Sequence, residues 1–280
     1  MTTMTLNAVK ADEIQEHLQG YVENIERWEM LAMAYRLAAD TMLNQPYGSG
    51  ERHRFDLFRA ADNDAPVVAF IHGGYWQHGD RKNYSFVARE LNAKGITVAI
   101  PSYRLCPAVS VMEIGDEIQR CLAVLWEHTH KRPTVVGHSA GGHLAAEMMA
   151  RDWTGFPGVP GDLVRTAYAI SGVFDLTSLV GTSLNKALSL TAGTARAASP
   201  LFRPPSPKGR RFVAAVGSEE TEELLSQSRR IAANWSAVGI HARCEVVTGA
   251  DHFTIIDELI TPGSSILTQL VTLAHEERAA

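Results

Sequence analysis

Short runs of nearly continuous apolar residues alternate along this chain with stretches whose apolar positions recur every three or four residues. The runs His53–Phe58, Val67–His72, Thr97–Pro101, Thr134–Gly137, Thr166–Ile170, Phe212–Val216 and Ala242–Val247 read as strands. Between and after them, Tyr84–Ala93, Val111–Glu127, Gly141–Arg151, Glu222–Ala237 and Ser264–Glu277 carry the helical period. Strands that are apolar on both sides and separated by helices predict a mostly parallel central sheet with helices on both faces. The predicted class is α/β.

Two segments depart from that rhythm. Residues 21–43 carry a helical pattern before any strand, and the run from Gln45 to Gly50 breaks it. Residues 1–46 are therefore expected to form an N-terminal helical extension packed on the domain, with two roles open for it: covering a pocket, or a contact between copies in a homodimer. Residues 174–208, rich in proline and fragmentary in pattern, read as an insertion above the C-terminal strand ends, where doubly wound sheets bind ligands. A cap or pocket lining is expected there, with an inert surface excursion as the plain alternative. Residues 1–280 otherwise read as one domain.

Chemistry enters with Gly137-His138-Ser139-Ala140-Gly141, set between the run Thr134-Val135-Val136 and a helical pattern. A nucleophilic serine on a sharp strand-to-helix turn needs small neighbours, and this context gives the five-residue string its specificity. His72-Gly73-Gly74-Tyr75-Trp76 directly follows the second strand. Its glycines allow Gly73 and Gly74 to aim backbone N–H groups at an oxyanion, with Ala140 N–H on the other side. His72 is expected to hold this loop by hydrogen bonding. Tyr75 and Trp76 either wall an acyl or aryl pocket or pack as structural aromatics.

Late in the chain, Gly249-Ala250-Asp251-His252-Phe253 follows the last strand and places His252 where a general base belongs. The acid should follow the strand Phe212–Val216, where Glu219 and Glu220 stand. Glu220, three residues after Gly217, is the choice; Glu219 is the alternative, and Asp175 and Asp251 are outside candidates. Asp251 reads as a helix or turn cap. His138 and His143 are expected to shape the pocket floor. His128-Thr129-His130 has no carboxylate or cysteine cluster beside it, so it reads as a solvated helix end, not a metal site. Cys106 has no evident base.

Composition narrows the picture by exclusion. A formal net charge of −5 leaves no footprint for nucleic acid or anionic membrane. The densest basic group, Lys208-Gly209-Arg210-Arg211, reads as a solvated strand entrance. Three scattered cysteines argue against a disulfide framework and against zinc. The first residues lack the apolar core of a secretion signal, and no run approaches the roughly 18 to 20 apolar residues of a membrane span. A cytoplasmic setting is the default expectation.

At these motifs the chain resembles α/β-hydrolase esterases of the hormone-sensitive-lipase type, and more closely the arylformamidase (kynurenine formamidase) branch. The resemblance rests on residues 72–77, 101–107, 137–143, 182–185, 216–228 and 251–253, within a span of roughly residues 50 to 275. It implies a triad of Ser139, Glu220 and His252, with an oxyanion hole from Gly73, Gly74 and Ala140. The family often has aspartate where this chain has Glu220. Substrate contacts implied around the site are Tyr75, Trp76, His138, Asn185 and Phe253. The expected reaction is acyl transfer to water without metal or cofactor, on a small substrate bearing an acyl or formyl group. Formamidases that use a metal carry a different His/Asp pattern, which is not found here. A general small-substrate carboxylesterase or amidase shares every catalytic residue, and a silent binding protein on the same scaffold is the rival from another class.

Overall fold

A computed structural model describes residues 11–206 and 209–279, with side chains from Asn24 onward. Its strands are β1 (Thr41–Pro46), β2 (Arg54–Phe58), β3 (Val67–Ile71), β4 (Thr97–Pro101), β5 (Pro133–His138), β6 (Thr166–Ile170), β7 (Arg211–Gly217) and β8 (His241–Val247). They form one sheet in the order β1-β2-β4-β3-β5-β6-β7-β8. β2 pairs antiparallel with both β1 and β4, and every other neighbouring pair is parallel. The helices are α1 (Ala11–Ala38), α2 (Ala88–Ala93), α3 (Val111–Thr129), α4 (Ala140–Ala150), α5 (Asn185–Leu188), α6 (Ala192–Ala197), α7 (Glu222–Ala237) and α8 (Ser265–Ala279). Among the described residues, no helix is long and apolar enough to cross a membrane.

The sheet is buried on both faces because its middle strands carry no polar side: every residue of β3, β4 and β6 is buried. Alternation then divides them between two cores. Val67, Ala69, Ile71 and Val135 join a cluster with α3 and α4. Val68, Phe70 and Val136 join the opposite cluster with α2, α8 and α1. The strands predicted from the sequence are all present, within one residue at each end. The helix expected over Tyr84–Ala93 begins instead as a 3-10 turn, Arg81–Val87, and becomes α-helical only at Ala88.

The N-terminal extension needs a larger correction. Its helix ends at Ala38, and Thr41–Leu43, expected to end the helical pattern, instead begin strand β1. Residues 1–10 of the expected extension lie outside the described residues. As a half-buried edge strand with an irregularity between Met42 and Gln45, β1 has no clean alternation to betray it, and Pro46 is tolerated at its end. Helix α1 docks through Trp28, which is 1% exposed and packs on the rings of Tyr84 and Phe86. A buried polar knot secures the same corner: Asp56 accepts from Arg36, from Arg81 Nε (3.2 Å) and from Asn44 N–H (2.8 Å). Met30, Met33 and Leu37 stay exposed on the outer side of the helix.

The insertion is ordered by contacts to the sheet's own helices. The Gln227 side-chain oxygen of α7 accepts from the N–H groups of Phe174 and Asp175, at 2.7 and 2.8 Å. His143 of α4 donates through Nε2 to the Ala198 carbonyl at 2.7 Å. Lys208 and Pro207 lie outside the described residues. Arg210, expected in a solvated strand entrance, is instead buried and donates to the Val164 carbonyl, because β7 enters the sheet beneath the loop before β6.

Trp28 adds apolar contact to the polar ties that hold α1, so Trp28→Ala should lower the unfolding free energy by about 3–5 kcal/mol. Urea denaturation measures this; a loss below about 1 kcal/mol would show that α1 contributes little to the folded domain.

Candidate active site

The site grows from the C-terminal ends of β3, β5, β7 and β8. Between β5 and α4, Ser139 adopts φ 56°, ψ −116°, a conformation that costs a side-chain-bearing residue about 1–3 kcal/mol. Its backbone is held on both sides: Ser139 N–H donates to the Ile170 carbonyl of β6 at 2.8 Å, and its carbonyl accepts from His143 N–H at 3.0 Å. The flanking glycines are sterically required. A Cβ on Gly137 would lie 2.0 Å from the Gly141 carbonyl oxygen, and one on Gly141 would lie 2.0 Å from that of Ile71. Backbone thus passes backbone with no space for a methyl group, and the serine hydroxyl is lifted clear of the sheet.

His252 comes from the loop after β8. Its Nε2 lies 3.1 Å from Ser139 Oγ, and its Nδ1 lies 2.8 Å from Glu220 Oε2. With Nδ1–H donating to the carboxylate, the Nε2 lone pair faces the serine hydroxyl. Glu220 Oε1 accepts from Ser171 Oγ at 2.5 Å and from Gly217 N–H at 2.8 Å. Burial alone would raise the Glu220 pKa, but the bonds from His252, Ser171 and Gly217 outweigh it and hold the carboxyl below its usual range. A carboxylate with fixed donors orients an imidazole and stabilises its protonated form.

The other acid candidates are elsewhere. Glu219 is exposed and accepts from Ser218 Oγ. Asp251 accepts from the N–H groups of Phe253 and Thr254, capping the turn beside the base. Asp175 accepts from Thr177 N–H and caps the 3-10 turn Leu176–Leu179. Cys106 is 5% exposed, and burial pushes its thiol up to about 11.

The glycine loop after β3 faces the nucleophile closely: a Cβ on Gly73 would lie 3.1 Å from Ser139 Cβ. Among the described residues, the N–H groups of Gly73, Gly74 and Ala140 donate to no backbone carbonyl. Ala140 is the first residue of α4, whose amide dipoles also favour negative charge there. His72 braces the loop. Its ring is stacked on Tyr103 at 4.4 Å, and its Nδ1 lies 2.8 Å from the Gly73 carbonyl. Burial lowers its pKa to about 4, so it stays a neutral donor.

A cavity of about 520 Å³ opens in front of Ser139 and His252, lined by Tyr75, Val173, Ser178, Leu179, Leu224, Gln227 and Phe253 among others. Of the substrate contacts expected from the sequence, it takes in Tyr75 and Phe253. Trp76 is not among them. Gly74, Tyr75 and Trp76 have positive φ in succession, which turns Tyr75 outward and Trp76 inward. The Trp76 indole is fully buried, edge-on to His143. Asn185 is also displaced from the expected role: its amide donates to the Val180 and Leu190 carbonyls and accepts from Leu190 N–H, closing the turn around α5. His138 lines no part of the cavity, because its ring points beneath the His252 loop. Sequence reasoning missed Ser171, Gln227 and Asn24, the last bringing α1 to the cavity wall. Only the position of Ser171 directly after β6 offered any sign of its part.

Because the native Glu220 carboxyl titrates below its unfolded counterpart of about 4.3, its stabilising effect is complete above that value and fades as pH falls through the lower native one. Glu220→Gln removes this dependence. Urea midpoints of the variant should therefore fall less steeply than those of the native chain between about pH 5 and about pH 3. Parallel slopes would mean that the carboxyl is not held ionised by its donors.

The comparisons with known proteins agree with this geometry. The α/β-hydrolase fold family matches residues 68–256. A kynurenine formamidase of Salmo salar is 32% identical over 93% of this chain and 88% of its own length. Another, from Danio rerio, is 28% identical over 93% and 88%. A crystal structure from Silicibacter sp. TM1040, described as that of a thioesterase, superposes with a TM-score of 0.82 at 32% identity, covering 90% of this chain and 94% of that one. With Ser139, His252 and the glycine loop brought together on this sheet, the chain belongs to the α/β-hydrolase family, in the branch that holds the kynurenine formamidases.

Proposed function

We propose that this hydrolase cleaves N-formyl aryl amines through a formyl-enzyme on Ser139. The observation that carries the proposal is the unbroken contact line from Ser139 Oγ through the His252 ring to Glu220, opening on the cavity. His252 Nε2 takes the hydroxyl proton as Ser139 Oγ attacks the formyl carbon. The carbonyl oxygen becomes an oxyanion facing the N–H groups of Gly73, Gly74 and Ala140, where each donor is worth on the order of 2.7–4 kcal/mol in such sites. The imidazolium, steadied by Glu220, then protonates the departing amine. Water repeats the sequence on the formyl ester, with His252 as base, and releases formate and free Ser139.

Two features support an aryl leaving group. Tyr75 and Phe253 line the cavity, and two relatives that match over most of this chain are kynurenine formamidases. The thioesterase description of the Silicibacter structure favours a second reading, short acyl thioesters or esters on the same machinery. Neither reading needs a metal or cofactor.

A substrate panel separates them: an N-formyl aryl amine, p-nitrophenyl acetate, a short acyl thioester and a long-chain ester. The formyl amine should give the highest kcat/KM, by at least about 10-fold, equivalent to roughly 1.4 kcal/mol of transition-state binding. A preference for the thioester or for long acyl chains would overturn the formamidase reading. Ser139→Ala should lower kcat by at least about 10⁴-fold and abolish labelling by a fluorophosphonate. Wild-type protein that neither labels nor hydrolyses any of these compounds would instead favour a binding role.

A further inference from the structure

His138 of the elbow motif is buried and does not line the cavity. It ends β5, in register with Ile170 of β6, so its backbone is fixed by the sheet. On the alternating strand it shares a face with Val136, which packs in the same core as Ile255 and Ile256. The ring therefore points beneath the loop that carries the base. There its Nε2 lies 2.8 Å from the backbone carbonyl of His252, a residue 114 positions away, and the two rings are 4.8 Å apart. On its other side the ring abuts the glycine loop: a Cβ on Gly73 would lie 3.2 Å from His138 Nδ1 and 2.9 Å from the His138 carbonyl oxygen.

We infer that His138 is a positioning residue for the hydrolysis, tying the loop of the base to the strand of the nucleophile and seating both against the oxyanion loop. A carbonyl oxygen can only accept, so the proton sits on Nε2, and in the neutral ring Nδ1 carries the lone pair. That tautomer keeps the ring neutral, and neutrality matters because a second positive charge beside His252 would oppose formation of the imidazolium. Burial, with the neighbouring His252 as a lesser cause, lowers the His138 pKa to about 3, consistent with a ring that stays uncharged while the enzyme works. Removing the N–H leaves the His252 carbonyl without its donor and lets the base drift from Ser139 Oγ. Displacements near 1 Å in such contacts cost on the order of 10²-fold in rate.

The inference rests on Ser139 and His252 carrying the hydrolysis, and its test is built to fail separately. His138→Leu keeps bulk without a donor, whereas the side-chain amide of His138→Gln can donate to the same carbonyl. His138→Leu should lower kcat by roughly 10- to 100-fold, with KM within about twofold of wild type. His138→Gln should recover most of that loss. Wild-type kcat in His138→Leu overturns the inference while leaving the hydrolase reading intact. So does equal impairment of both variants at equal Tm, which would mark a space-filling role. A wild-type chain inactive on every substrate removes both. Nitrogen-15 NMR of the native enzyme gives a measurement independent of variant folding. It should find the His138 ring neutral and Nε2-protonated from about pH 5 to about pH 8. A ring that titrates in that span, or carries its proton on Nδ1, overturns the assignment.

Discussion

Ser139 occupies a backbone conformation that the chain would not choose in isolation, and the rest of the molecule is arranged so that it has no other. Two close backbone approaches, at Gly137 and Gly141, leave only glycine-sized space around the turn. Hydrogen bonds to β6 below and α4 above then hold the serine on both sides. A cost of about 1–3 kcal/mol at one residue is small against the apolar burial on both faces of the sheet. The core is thus the source of the strain, and the strain presents the hydroxyl to the His252 ring.

Electrostatics at the site follow from enclosure. A fully buried carboxylate is unfavourable unless donors surround it, and Glu220 has three: the His252 ring, the Ser171 hydroxyl and the Gly217 N–H. The same dry surroundings act in the opposite sense on His72 and His138, which burial keeps neutral. Of the histidines around Ser139, His252 has the Glu220 carboxylate against its ring. That difference in partners, not in residue type, supports the role proposed for it.

Much of this was legible from the residues themselves. Near-continuous apolar strands such as Val67–Ile71 declare a sheet covered on both faces, and flanking glycines declare the elbow. Strand β1 was hidden because a half-buried edge strand with an irregular register carries no period. Asn185 was misplaced, and Trp76 left open between pocket wall and packed aromatic, for a related reason. Each stands beside residues that do face the cavity or belong to the insertion, yet a left-handed turn points Trp76 into the core, and Asn185 closes a turn of its own.

The sequence by itself determined the fold class and singled out Ser139 and His252 as candidates, because each depends on a local order: apolar strand, tight turn, helix, then a histidine after the last strand. Tertiary structure set Glu220, the choice from the sequence, against the imidazole and turned its neighbour Glu219 to solvent. It alone brought α1 to the cavity wall and His138 under the base loop. Local patterns record which residues are apolar or small. Where a side chain points, and which distant segment it meets, is settled only when the sheet packs.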